Sequence, residues 1–493
     1  QAEYGRDDAS IVYLEVADVL RNQYKIDPQR EVLVIFQLLL KWDGPAAVEI
    51  GPFVGGGTSI AGTAWCYDDP MLDPLLLTSK KPGGYYHSPC SIGQFNTHYI
   101  GGVAHELGHA LSLPHECEID SEHLTLGASL MGNGNHTFGE ELRNEGKGTF
   151  LSPASALRLS VVRAFAGSIP DAGNAAFWSV EHFEAKNVGA GRLSLTGKVN
   201  ASPPLIGIIA YNDYMMIPAD YDAKTWVSPV DPEGRFAFEI GEFNNANNPM
   251  PQIGYTTNKT TSFPYQLRIV GVHKNGMVSG MAINYEVKNG IAEVAMINTV
   301  LPTMQLKQFF AKRDITGIRS LMKKQKSDNE FQRKAGLLIR LLENTRTPVD
   351  VATLPVSVKE AYIADAKYSE AYTGWGEIRR NHVPEDVFLQ IGNKFIESGL
   401  YAHAPSLYQI ETAGKWNVLD IGYGLQDGHD GFVHFIVRGD NRELFRSAGI
   451  NDHIERRETL NITGIKTLQL IVEPASGNKN GAWGIWVTPK LKM

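Results

Sequence analysis

The chain has 493 residues, with 46 Lys and Arg against 54 Asp and Glu, a net charge of −8, 43% hydrophobic residues and 20% charged residues. This is the composition of an ordinary soluble protein of several domains, and its mild acidity argues against nucleic acid as the partner. No apolar run approaches the roughly 18 residues of a membrane span, so no transmembrane segment is expected; the longest run, Val32 to Leu40, has the length of a buried strand.

Residues 1–168 read as mixed α/β. Asp8 to Tyr24 has helical periodicity and Glu31 to Leu40 reads as a strand. A stretch with Gly51, Gly55, Gly56, Gly57 and Gly62 follows. It lacks the GK[ST] ending of a phosphate-binding loop, so an open loop or an edge beside a cleft is expected.

Next comes His105-Glu106-Leu107-Gly108-His109, with His115 six residues beyond the second His. HExxH on a helix lets two imidazoles hold Zn²⁺ while the Glu handles protons. At about 100° per residue, His109 falls about 40° and Glu106 about 100° from His105, whereas Ile100, Val103, Leu107 and Leu111 fall at about 160–240°. The apolar stripe therefore lies opposite the metal face. Asn96 or Thr97 is expected as the N-cap. Gly101, Gly102 and Gly108 inside the helix suggest close packing or room for a ligand, and Leu113-Pro114 ends the helix so that the chain can bring His115 back to the same ion. Glu106 is assigned as general base toward water and then as proton donor to the leaving amine, with His105, His109 and His115 as metal ligands. His87, His98, His123 and His136 lie nearby in sequence and are expected to be supporting, surface or core residues rather than ligands.

The run HELGHALSLPH resembles the metzincin clan of zinc endopeptidases, whose pattern is HExxHxxGxxH followed by a Met-turn. Met131 in Ser129-Leu130-Met131-Gly132, 16 residues after His115, would by that resemblance lie under the metal as an apolar floor. The sequence departs from the pattern at Ser112, where the clan has a Gly in left-handed conformation. Either the turn is built differently or His115 is not the third ligand; a gluzincin arrangement would use Glu140 or Glu141, and the spacing favours His115. No Tyr follows two residues after Met131, so a Tyr ligand is not expected there. A final helix starts at Ser152-Pro153, an N-cap followed by Pro at the first helical position. Cys66, Cys90 and Cys117 are too few for a disulfide framework, and one bridge plus one free thiol, of open pairing, is compatible with their number.

Residues 176–299 carry short β-type runs, Arg192–Val199, Leu205–Tyr211, Arg235–Ile240, Gln266–Val272 and Met281–Val287. They read as a β-sandwich without a catalytic constellation, a spacer or support. Residues 301–346 read as a short helical connector, with Asp314 and Ser327 as N-caps, the latter in a Ser327-to-Glu330 capping box.

Residues 356–493 return to β. The runs Gly399 to Ser406, Gly424 to Gly428 and Val433 to Asp440, with Glu443 to Ser447 and Trp483, resemble the NPCBM type of carbohydrate-binding module, a galactose-binding-like β-sandwich. Its ending, Ala482-Trp483-Gly484-Ile485-Trp486, departs from the more usual Asp-Trp pair. A sugar site wants an aromatic face and a few fixed polar groups, and Trp375, Tyr401, His403 and Trp483, with Trp416 and Trp486, are the candidates. Related modules often carry a structural Ca²⁺, for which no ligands can be named. Asn135, Asn258 and Asn461 stand in NxS/T sequons.

The expected architecture is thus a metzincin-like α/β zinc peptidase domain, a β-sandwich domain, a helical connector and a C-terminal galactose-binding-like β-sandwich. The expected function is a zinc-dependent endopeptidase directed to glycoproteins by a glycan-binding module. The chain starts at Gln1 without a signal peptide, and a secreted or cell-surface location is expected from its C-terminal region. Two rivals stand against this reading: a catalytically inactive glycan-binding surface protein, and a glycosidase, which would need paired carboxylates that no motif supplies.

Overall fold

The computed structural model describes residues 9–37, 40–49, 51–189, 191–215, 218–243, 262–343, 347–384, 387–475, 477 and 479–493. Asp8, part of the strand expected at 31–40, and Asn258 lie outside them. The chain divides into two compact units, Gln1–Leu301 and Pro302–Met493, and strands predominate in both. Among the described residues no helix is long and apolar enough to cross a membrane.

The first 170 residues build a small sheet and one long helix. Val32–Gln37 runs parallel to Gly62–Tyr67, which pairs antiparallel with Val54–Gly57 on its other side. The glycine-rich stretch is therefore an edge strand. Its glycines have a packing cause: a Cβ on Gly55 would run into the carbonyl of Glu106, and one on Gly57 into that of Ala110. The sheet thus lies directly on the backbone of the helix Ile92–Ala110, a closeness that only residues without side chains permit.

Two antiparallel sheets form the second half of this unit. One orders Phe177–Gly189, Arg192–Ser202 and Arg235–Ile240. The other orders Lys224–Ser228, Leu205–Tyr214, Ser262–His273, Val278–Lys288 and Ile291–Ala292. Alternating residues such as Phe236, Phe238 and Ile240 meet Ile208, Leu267, Ile269 and Tyr285 in the core between them. The opposite face of the second sheet is not left to water. Ile209, Tyr211 and Val272 bury against Ala154 and Val161 around the helix Pro153–Leu159, whose N-cap is Ser152 as expected. Cys117 bridges to Lys224 and its N–H donates to the Ala223 carbonyl at 2.8 Å. The sandwich and the long helix are therefore parts of one packed body.

In the second unit the helices Ile315–Lys324 and Asn329–Glu343 bury Ile318, Leu321, Phe331, Leu337 and Leu338 against Phe388 and Phe395. They are docked on the β-region rather than strung before it. Asp314 caps the first, as expected. The second is capped by Asp328, whose Oδ1 accepts from the Phe331 N–H at 2.9 Å, one residue later than the expected Ser327. The remainder is a galactose-binding-like β-sandwich of two five-stranded sheets, one centred on Trp483–Lys492 and the other on Thr467–Pro474. Trp416 and Trp486 are fully buried in its core, which removes both from the sugar-contact candidates.

Candidate functional site

The long helix starts earlier than its apolar pattern suggests. Ser91 is the N-cap: its Oγ accepts from the Gln94 N–H at 3.1 Å while Gln94 Oε1 accepts from the Ser91 N–H at 3.1 Å. This S-x-x-Q capping box was present in the sequence. Asn96 and Thr97, the expected caps, lie buried inside the helix; Asn96 Oδ1 instead accepts from the Asp73 N–H at 2.8 Å.

The helix end answers the question posed by Ser112. Ser112 adopts a left-handed φ of 73°. Its N–H donates to His109 O and the Leu113 N–H donates to Gly108 O, both at 2.9 Å. This is a Schellman turn with Ser where Gly is usual. The Arg158 guanidinium donates to both the Ser112 carbonyl and its hydroxyl, which holds the strained residue in place.

The turn brings His115 back. His109 Nε2 lies 3.1 Å from His105 Nε2 and 3.0 Å from His115 Nε2. On its far side each ring has a backbone carbonyl: His105 Nδ1 lies 2.7 Å from Leu130 O, His109 Nδ1 2.8 Å from Leu113 O and His115 Nδ1 2.7 Å from Ala219 O. A carbonyl can only accept, so each Nδ1 carries the proton. All three Nε2 lone pairs then converge with no hydrogen among them. Such an arrangement is repulsive unless a cation sits at its centre, so the donor set fits a divalent ion held by neutral imidazoles. Burial favours the neutral form in each ring, pulling His105 down to about 4 and His109 and His115 down as well. Among the described residues, this is the only group of three or more His, Cys, Asp or Glu side chains within metal-binding reach, and Glu140 and Glu141 do not join it.

Glu106 projects from the same helix beside the cluster. Burial pushes its carboxyl up to about 7, opposed by the Gly55 N–H, which donates to it from the edge strand. Met131 is fully buried beneath the helix and touches Gly108, where a Cβ would collide with the thioether. The preceding carbonyl, Leu130 O, is the one that holds His105. Beside the third imidazole, Glu116 is buried and accepts from the Ser129 hydroxyl at 3.3 Å, from Ser155 Oγ at 2.6 Å and from Ser152 Oγ. It ties the segment after His115 to the Met131 turn and to the helix Pro153–Leu159.

Two participants come from the sandwich, which the sequence reading had left without a role at the site. Ala219 supplies the carbonyl to His115, and the Tyr221 ring stacks on that imidazole at 3.8 Å between centroids and 27° between planes. Ala219 and Asp220 both take left-handed φ, 67° and 60°. Arg268, donating to Asp220, anchors this loop to the sheet. No motif marks Asp220-Tyr221-Asp222 in the sequence, and no local signal could have found it.

The other histidines serve elsewhere. His98 and His136 face each other through Nδ1 at 3.0 Å, with Tyr86 stacked on His98, and His123 pairs with Glu118 at 2.8 Å. Cys66, Cys90 and Cys117 are all free thiols, with no bridge among them, and burial pushes Cys66 up to about 12.

In the second unit, the four aromatic candidates come together around Trp483. Trp375 lies 5.2 Å, Tyr401 5.0 Å and His403 6.3 Å from it between centroids. His429, which was not among the candidates, stacks on Trp483 at 3.8 Å and 6°. Tyr401 is fully buried and donates to the Trp375 carbonyl at 3.2 Å, and Trp483 and His403 are nearly buried. Trp375, 44% exposed, is the ring of this set that offers a face to solvent.

Residues 359–492 match the NPCBM/NEW2 domain family. No curated protein matches the chain. Similar solved structures include wild-type OgpA from Akkermansia muciniphila, at 20% identity over 59% of this chain and 74% of that one, with a TM-score of 0.46. A catalytically inactive OgpA in complex with an O-glycopeptide substrate aligns at 20% identity over 58% and 75%, with a TM-score of 0.45. The CBM51 module of a Clostridium perfringens GH95 protein, in complex with methyl-galactose, aligns at 21% identity over 27% of this chain and 99% of that one, with a TM-score of 0.26.

Proposed function

We propose that this protein is a zinc-dependent endopeptidase of metzincin type whose C-terminal module directs it to glycosylated protein. The observation that carries the peptidase half is the convergence of three proton-free Nε2 atoms beside the half-buried carboxyl of Glu106. His105, His109 and His115 would hold the ion, with Met131 as the floor beneath them. Bound there, zinc supplies Lewis acidity toward a scissile carbonyl and toward water.

The chain's own residues do the rest. Glu106 takes a proton from the attacking water and delivers it to the departing amine nitrogen, so that base and acid are one carboxyl in two states. Its raised proton affinity suits both halves of that cycle near neutral pH. The Gly55 N–H, by donating to the carboxylate, favours its ionised state. The edge strand Val54–Gly57 lies beside Glu106, among the described residues it pairs with a strand on one side alone, and an extended peptide can pair along such an edge. Ala219 and Tyr221 orient the third ligand, as carbonyl and aromatic partners of metal-bound imidazoles do.

Support for the glycan half is the match of residues 359–492 to a carbohydrate-binding module and the exposed face of Trp375 over Trp483. A pyranose stacks on such a ring through its C–H face. A substrate that carries glycans, met outside the cell, follows from joining the two halves.

The test is metal analysis and cleavage of a mucin-type glycoprotein by wild type and Glu106→Gln. The variant should keep about one zinc per chain and lose roughly 100-fold or more of the cleavage rate, and a chelator should abolish cleavage by wild type. Cleavage by Glu106→Gln at the wild-type rate would sink the assignment.

A further inference from the structure

The C-terminal unit contains a cavity of about 440 Å³ where the end of the helix Asn329–Glu343 meets the segment 376–382. A second cavity of about 620 Å³ shares Leu337, Arg340, Asp365 and Asn381 with the first, so the two form one groove. Each is of the size of a small-ligand site.

The groove is cationic in an acidic chain. Arg313, Arg340, Arg379 and Arg380 line the first part, and Arg333, Lys394 and Arg457 are added in the second. Against these seven stand four carboxylates among the described lining residues, Glu343, Asp365, Glu397 and Glu455, in a protein whose net charge is −8. Within the lining Arg340 pairs with Glu397 at 2.6 Å and Arg457 with Glu455 at 2.5 Å, while Glu343 pairs with Arg319, which is not part of the lining, at 3.0 Å, so the excess of positive charge rests on Arg313, Arg333, Arg380 and Lys394.

One of the guanidinium groups is held firmly by the wall. Arg380 lies over the Tyr368 ring at 4.1 Å and donates to the Ala364 carbonyl at 3.3 Å, which fixes its plane. Arg379 pairs through Nη2 with the exposed Glu377 at 3.0 Å, but its Nε is buried without a hydrogen-bond partner. Planar guanidinium forks fit the paired oxygens of a carboxylate or sulfate. Between the charges the wall is apolar, with Phe310, Leu337, Leu341, Pro348 and Ile378, which suits the C–H face of a sugar ring rather than a bare inorganic ion.

We propose that this groove binds a saccharide bearing a carboxylate or sulfate group, at a site that shares no lining residue with the aromatic patch around Trp483. The guanidinium groups take the charged substituent and the apolar wall takes the ring. The protein would then read two features of a glycan on one unit, a neutral sugar face and an acidic substituent. This inference does not depend on the peptidase assignment.

The experiment is calorimetric titration of the full chain with three oligosaccharides of equal length: one containing uronic acid, one sulfated and one uncharged. At least one acidic oligosaccharide should bind, more tightly at low than at physiological ionic strength. An excess of the uncharged one should not displace it. Arg379→Gln and Arg313→Glu should each weaken the acidic ligand by about tenfold, with melting temperatures measured alongside. Arg313 is exposed, so its charge reversal keeps the test decisive if Arg379→Gln fails to fold. Which acidic oligosaccharide binds identifies the group. The proposal is overturned if neither binds, if both variants bind as wild type does, or if an oligonucleotide of equal charge binds while neither saccharide does.

Discussion

His115 Nδ1 sits 2.7 Å from the carbonyl oxygen of Ala219, a residue 104 positions further along the chain in the same compact unit. Through this contact a β-sandwich expected to be a spacer supports the three-histidine cluster. The carbonyl demands the proton on Nδ1, which leaves Nε2 free to face its two partners. Tyr221 closes the other face of the same ring.

Removing that support should loosen the metal without abolishing the fold. Tyr221→Ala is expected to weaken zinc binding by roughly 10- to 100-fold, in the range of outer-shell substitutions, measured by chelator competition. Tyr221→Phe keeps the stacked ring and should retain wild-type affinity. Equal loss in both variants would show that the hydroxyl, not the stack, is what matters.

Arg158 holds Ser112 in its left-handed turn. Arg158→Met should destabilise the first unit by about 1–3 kcal/mol, the cost of leaving a charge-assisted pair of acceptors unmet, read as a fall in melting temperature. Ser112→Gly removes the Cβ strain of about 1 kcal/mol and should recover part of that loss in the Arg158→Met background. A double variant no more stable than Arg158→Met would refute this account of the turn.

Asp213 and Asp222 lie together behind the Tyr221 loop, and burial raises both carboxyls above their ordinary range, each further raised by a neighbouring carboxylate. The folded state therefore binds protons that the unfolded chain has released. Their contribution is most favourable below the ordinary carboxylate range and is lost as pH rises through the raised values toward neutrality. Asp222→Asn should flatten this slope, so that its melting temperature gains on wild type as pH rises from about 4 to 8. An unchanged difference across that range would contradict the raised pair.

Trp375 carries the exposed face of the aromatic patch. Trp375→Ala should reduce binding of a neutral galactose-type sugar by roughly tenfold, while the melting temperature changes little because the ring is nearly half exposed. Sugar binding that survives this substitution at full strength would place the glycan site elsewhere on the module.

Much of the chemistry was legible because it is local. HExxH places two imidazoles and a carboxylate by helix geometry alone, and alternation marked strands such as Arg235–Ile240 with their bounds intact. Ser152-Pro153 and Asp314 announced helix starts through capping patterns that act within four residues. The motif helix was misjudged at its start because an apolar stripe shows which face is buried, not where the first turn is capped; Ser91 and Gln94 held that information. The aromatic residues Trp375, Tyr401, His403 and Trp483 lie near one another, but they differ in exposure. Trp416 and Trp486 proved to be core, and Trp375 rather than Tyr401 turned outward, because burial is decided by how two sheets close on each other.

What the sequence determined by itself is the donor chemistry: three imidazoles, one carboxylate and a buried thioether, spaced so that a helix and one turn can gather them. What only the tertiary structure decided is what holds and surrounds them: the carbonyl of Ala219, the ring of Tyr221, the guanidinium that steadies Ser112, and the basic groove of the second unit. The reason is physical. Helical period, caps and turns are set by neighbours a few residues away, whereas these contacts join segments dozens to a hundred residues apart, and no local pattern encodes which distant backbone will arrive there.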